Sequence, residues 1–188
     1  MMSQNKKLSI AFYWHMHQPV YQLSPEGDYL MPWTRLHAVK DYLDMITMLD
    51  DFKTIKLNVN LVPVLLDAFI DYGEKGMHDL HSRLTVTPVE NLTADDKEFI
   101  LNNFFDANYQ TMILPYDEYN RLYQKRQNLA EVDIDAFTDE EYSDLMALFN
   151  LVWFDPVYKN DYVELRKLFK KKKGYTLEDR YRIIEIQR

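Results

Sequence analysis

Leu8 to His15 is a short, nearly continuous apolar run, the pattern of a β-strand covered on both faces. Alternation sorts its residues. Leu8, Ile10, Phe12 and Trp14 share one face, and Ser9, Ala11, Tyr13, His15 and His17 share the other. The first face is greasy; the second is smaller and more polar. Pro19 cannot donate to a ladder and pushes Gln18 toward extended backbone, so the strand is expected to end where the two histidines emerge. Pro25, Gly27 and Pro32 mark residues 20–33 as a loop. From Thr34 onward, Leu36, Val39, Leu43, Ile46 and Leu49 recur in steps of three and four, which predicts a helix with Thr34 as its N-cap.

Ile55, Leu57, Val59 and Leu61 alternate with Lys56, Asn58, Asn60 and Val62, predicting a second strand over 55–62. Two asparagines on one face suit a polar lumen or cleft better than a dry core. Pro63 opens a helix that Gly73 is expected to close at C′. The order strand, helix, strand, helix predicts a parallel α/β sheet or barrel. The remainder of the chain reads almost entirely as helix. Thr93 with Asp96, Thr138 with Glu141 and Thr176 with Asp179 each have capping-box spacing before an apolar-periodic run. Pro115 and Pro156 separate helical segments. Lys170 to Lys173 and then Gly174 read as the solvated end of a helix over 161–173. Two strands are too few for a complete parallel sheet, and the terminal RYRIIEIQR has no C-cap signal. The expectation is therefore the N-terminal portion of a larger fold.

Composition narrows the function classes. The 188 residues are 47% hydrophobic and 14% aromatic, enough for a real core, and the net charge is −8. An acidic chain lacks the positive field that a phosphate-backbone binder needs, so no nucleic-acid partner is expected. With no cysteine, disulfides and thiolate metal sites are excluded. Lys6 and Lys7 before an apolar run loosely resemble a signal peptide. The run ends in His15 without a small-residue cleavage site, however, and a buried first strand is the better reading. No apolar run nears the roughly 18 residues that span a bilayer. The chain is expected to be cytoplasmic, with no membrane partner.

The stretch AFYWHMHQP concentrates the chemistry. On a strand, residues i and i+2 point the same way, so His15 and His17 can reach one ligand from the strand's C-terminal end, where parallel α/β folds place their sites. Two chemistries compete. His-x-His supplies two imidazoles to Zn²⁺ or a similar metal, as in a metal-dependent hydrolase on a related barrel. That site needs a third protein ligand, and His78-Asp79-Leu80-His81 offers candidates without requiring them. Alternatively the imidazoles hydrogen-bond to sugar hydroxyls, with aromatics such as Tyr13, Tyr21 and Trp33 suited to sugar faces. Trp14 points away from the histidines and reads as core. A non-catalytic helical interaction module is the third class.

HMHQPVY and the strand before it resemble the first conserved region of glycoside hydrolase family 57, with its His-Gln-Pro signature. MPWTRLHAVKDYLDM (31–45) is similar to the family's PW-x-RLHA-x-KDY-x-DM segment. NLVPVLL (60–66) is similar to its second strand, and ENLTADDKEFILNNFFDAN (90–108) and LFNLVWFDP (148–156) to its helical insertion. The resemblance implies the N-terminal part of a (β/α)7 barrel: two β/α units over 1–90, then a mostly helical insertion over 91–188. It implies an α-amylase, amylopullulanase or 4-α-glucanotransferase-like parent that acts on α-glucan or maltooligosaccharide without a metal or other cofactor. Retention needs a carboxylate nucleophile and a carboxylic acid/base about 5–5.5 Å apart, which the resemblance implies are a glutamate and an aspartate. The family carries both in later conserved regions, so no catalytic residue is assigned among these 188. Asp67, Asp71 and Asp79 have no motif support for either role, and the chain alone is expected to be inactive. The resemblance places His15 and His17 against the sugar and has Gln18 and Pro19 shape the strand exit. Trp33 and Asn60 are candidate substrate contacts. Arg35, His37, Lys40 and Asp41 match family patterns without an assigned role; Arg35, Lys40 and Asp41 read equally as a helix-face salt network.

Overall fold

The computed structural model describes residues 8–24 and 27–188. Lys6, Lys7 and Pro25 lie outside the described residues. Two parallel strands form the sheet, β1 (Tyr13–Met16) and β2 (Asn58–Leu61). Tyr13 lies beside Asn58, Trp14 beside Val59, His15 beside Asn60 and Met16 beside Leu61. One face therefore carries Tyr13, His15, Asn58 and Asn60, and the other carries Trp14, Met16, Val59 and Leu61.

Both strands are shorter than the apolar pattern predicts. Leu8, Ile10 and Phe12 are 86%, 72% and 58% exposed, so the expected greasy face is not buried ahead of Tyr13. The physical reason is pairing: the ladder starts only where the Asn58 N–H donates to the Phe12 carbonyl at 3.0 Å, and it ends with Val62 N–H on the Met16 carbonyl at 3.3 Å.

The crossover between the strands is helical, as the pattern predicts. It consists of α1 (Trp33–His37), a π-helical turn (Ala38–Tyr42), α2 (Leu43–Thr47) and a 3₁₀ turn (Met48–Asp51). Thr34 is not the N-cap. The helix begins at Trp33 after Pro32, and Thr34 is buried within the first turn. α3 (Pro63–Gly73) opens on Pro63 as expected. Gly73 is still helical, however, and Gly76 is the residue that takes the left-handed backbone at φ 67°.

The helical part continues as α4 (Leu80–Thr85), α5 (Ala94–Asn103), a π-helical turn (Tyr109–Ile113), α6 (Asp117–Gln127), α7 (Asp139–Val152), α8 (Pro156–Asp161), α9 (Val163–Lys171) and α10 (Leu177–Ile186). All three capping boxes form at α5, α7 and α10, and a fourth joins Asp79 to Ser82 at α4. α7 is buried on every side from Tyr142 to Val152 and packs on α4, α5, α6 and α10. A helix buried all round its circumference is a core helix, and its buried Ser143, Asp144 and Asn150 are each hydrogen-bonded inside the protein. The main core gathers Leu145, Leu148 and Phe149 of α7 with Leu84, Ile100, Phe104, Leu122 and Ile183.

Candidate functional site

His15 and His17 do share a face and an end. Their rings stack with centroids 5.9 Å apart and planes 20° apart. Both are exposed at the carboxyl end of β1, and Asn60 of β2 stands next to His15 in register. The asparagine face is thus the imidazole face, and Asn58 and Asn60 stand on the same side of the sheet as His15. Trp14 lies on the opposite face, as alternation predicts.

The strand exit is held by tyrosines. The Tyr42 hydroxyl donates to the His17 carbonyl at 3.0 Å and accepts from Gln18 Nε2 at 3.1 Å. The Tyr21 hydroxyl donates to Gln18 Oε1 at 2.9 Å. Burial, and then Tyr42 nearby, push the Tyr21 phenol above its ordinary value, so its hydroxyl stays protonated and donates. Gln18 is therefore fixed at both ends of its amide. A cavity of about 280 Å³ adjoins this corner, lined in part by Pro19, Val20, Tyr29, Asp67 and Asp71. The Asp71 oxygens are already engaged, by the Tyr29 hydroxyl at 2.7 Å and Lys75 Nζ at 2.7 Å. Lys75 and Tyr29 outweigh the upward push of burial and hold that carboxyl below the usual carboxylate range.

The remaining sequence candidates go elsewhere. Trp33 is half-buried, and its ring meets Trp153 at 5.9 Å. His37 packs edge-on against Trp153 at 5.4 Å and pairs with Asp41, which Lys40 Nζ also reaches at 2.7 Å. Arg35 does not join that helix-face pair. It is 1% exposed, and its guanidinium grips Asp79 through Nε at 2.7 Å and Nη2 at 3.2 Å. Its Nη1 reaches Asn150 Oδ1 at 2.9 Å and also Gln187 Oε1. Burial pushes the Asp79 carboxyl up, but Arg35 outweighs it and holds that group ionised. Arg35 turns inward because a buried carboxylate at the α4 N-terminus needs a charged partner.

The run His78-Asp79-Leu80-His81 does not assemble as a ligand set. His78 Nδ1 lies 3.1 Å from Ser82 Oγ, Asp79 is taken by Arg35, and His81 is buried among phenylalanines. Among the described residues no three His, Cys, Asp or Glu side chains come together as a metal site.

On the other face of the sheet, Met16, Val59 and Leu61 line an apolar groove of about 430 Å³ with Val39, Leu43 and Ile46. Leu43 and Ile46, expected in the helix's buried stripe, are 42% and 45% exposed along this groove. Sequence reasoning missed Tyr42, and it read Tyr21 as a sugar-facing aromatic where the structure makes it the support of the Gln18 amide. Tyr42 sits inside the segment that carries the resemblance, yet nothing in its spacing announces which way a π turn will face it.

The chain is thus a mixed α/β protein, with a small parallel sheet presenting a paired-histidine corner at its carboxyl edge. The sequence profile of glycosyl hydrolase family 57 matches residues 11–185, and the chain belongs to this family. Its kind of function is that of a glycoside hydrolase or transferase acting on carbohydrate. No curated protein and no solved structure matched.

Proposed function

We propose that these residues contribute the first corner of the sugar-binding cleft in a retaining, α-glucan-acting enzyme, with His15, His17, Gln18, Trp33 and Asn60 as substrate contacts. The observation that carries this reading is the stacked histidine pair at the carboxyl end of a parallel strand, beside Asn60, in a chain of this family. Two exposed imidazoles and an amide offer donors and acceptors to neighbouring hydroxyls of one glucosyl ring. Hydrogen bonds that tighten as the ring flattens toward an oxocarbenium ion lower the barrier to cleavage. Residues 1–90 supply the first two β/α units of a (β/α)7 barrel, and 91–188 a helical insertion packed on it. The nucleophile and the acid/base belong to later conserved regions of the family, so these 188 residues alone bind maltooligosaccharide without cleaving it.

Titration with maltohexaose, followed by NMR of the histidine imidazoles, tests the reading. His15 and His17 resonances are expected to move while those of buried His81 stay put, and His17→Ala should abolish the response. Release of reducing sugar by the 188-residue chain would overturn the proposed inactivity. Stoichiometric zinc binding that is lost in His15→Ala would overturn the sugar reading in favour of a metal-dependent hydrolase.

A further inference from the structure

The last ladder bond of the sheet is made to the Met16 carbonyl. His17 lies one residue beyond it, and Pro19 has no N–H with which to anchor the exit. The next hydrogen bond along the chain is the one from Tyr42 to the His17 carbonyl. The same phenolic oxygen takes the Gln18 amide, whose other end is held by Tyr21. Tyr42 closes the π-helical turn Ala38–Tyr42. One residue inserted into a 3.6-residue turn rotates everything after it by about 100°. That places a tyrosine on the strand-facing side of the crossover helix. Its ring is braced edge-on by Phe69 of α3 at 5.9 Å, so the hydroxyl sits on a support independent of the sheet.

We propose that Tyr42 is the positioning residue of the histidine corner: its hydroxyl fixes the His17 carbonyl and the Gln18 amide, and so sets the stacked geometry of His15 and His17 that a saccharide meets. The saccharide part of this inference rests on the function proposed above; the geometric part does not. Tyr42 touches the backbone and the Gln18 side chain, and it acts on sugar only through them.

Tyr42→Phe keeps the ring against Phe69 and deletes both hydrogen bonds, and Tyr21→Phe deletes only the outer support of Gln18. In the free 188-residue chain, the nuclear Overhauser contact between the His15 and His17 rings is expected to weaken in Tyr42→Phe, with His17 resonances broadened. Those of His81 should remain unchanged, an effect a purely structural loss of stability would not produce. With maltohexaose as the probe, Tyr42→Phe should need about five times more saccharide for half-response, the loss expected for one to two hydrogen bonds. Tyr21→Phe should fall between it and the wild type. An unchanged ring contact and unchanged His17 lines in Tyr42→Phe would overturn the proposal. If wild type ignores maltohexaose, the sugar reading fails, and the free-protein spectra still decide the role of Tyr42. If Tyr42→Phe were to unfold, Phe69→Leu takes its place, since it removes the brace that holds the Tyr42 ring; an undisturbed His15–His17 contact and unchanged His17 lines in that variant would overturn the proposal.

Discussion

His81 places a titratable imidazole where no charge is welcome. It is 2% exposed, stacks on Phe104 at 5.0 Å and Phe149 at 5.4 Å, and meets Phe99 edge-on at 5.2 Å. Neither ring nitrogen has a hydrogen-bond partner among the described residues. Burial pushes its pKa down to about 4, Arg35 adds to the fall, and Asp79 only partly opposes it. The unfolded chain takes up this proton from about pH 6.5 downward, while the folded chain does so only near the lower value. The site's contribution is therefore complete above that window and is lost as pH falls through it, by up to about 3 kcal/mol. Urea midpoints at pH 7, 6, 5 and 4.5 should fall more steeply for the wild type than for His81→Leu, which keeps the volume and removes the proton. Parallel pH profiles for the two proteins would contradict this account. The sequence showed His81 only as a candidate ligand, because one histidine in a helical run does not announce the three phenylalanines that enclose it.

Helix starts marked by a capping box were the most legible elements, whereas the ends read from Thr34 and Gly73 were not. Thr93, Thr138 and Thr176 cap their helices as the spacing predicts, since a capping box is a local geometry that distant contacts need not supply. The Asp79–Ser82 box was harder to read because serine replaces the usual acid or amide at its fourth position. The π turn at Ala38–Tyr42 was illegible, since its residues have the same apolar periodicity as an ordinary helix. Lys172 gives the element scale its test. It ends α9 with φ 62°, where a side chain strains the backbone, and the expected glycine stands two residues later at Gly174. Lys172→Gly should relieve that strain and raise stability by about 0.5–1 kcal/mol, offset in part by glycine's freedom in the unfolded chain. Thr138→Ala should lower it by about 1 kcal/mol through loss of the α7 cap. Both are read as shifts in thermal midpoint. A lower midpoint for Lys172→Gly would mean that the lysine's own contacts outweigh the strain.

At the scale of the whole molecule, alternation paired the two histidines on one face of their strand and the two asparagines on one face of theirs, because a strand's period is fixed by its backbone, and the register that sets His15 beside Asn60 made the two faces one. What sequence could not supply was the link between the sheet-bearing part and the helical part. Arg35 makes that link with Asp79, Asn150 and Gln187, partners 44, 115 and 152 positions away. Gln187 Nε2 also donates to the Asn150 carbonyl at 2.9 Å, and Asn150 Nδ2 to Thr85 Oγ1 at 2.9 Å, so α1, α4, α7 and the end of α10 share one polar network. Such a network is costly to break from one side. Arg35→Met keeps the packing length and leaves the Asp79 carboxylate buried without its cation, a loss of about 3–5 kcal/mol. Replacing both charges, as Arg35→Met with Asp79→Leu, removes the stranded carboxylate and should recover part of that loss. The recovery will be incomplete, because Asn150, Gln187 and the α4 cap still lose a partner. Urea unfolding of the four proteins in a double-mutant cycle measures the coupling directly. A loss near the 0–1 kcal/mol of an exposed pair in Arg35→Met would mean that water reaches Asp79 and that the two parts are joined by apolar contact alone.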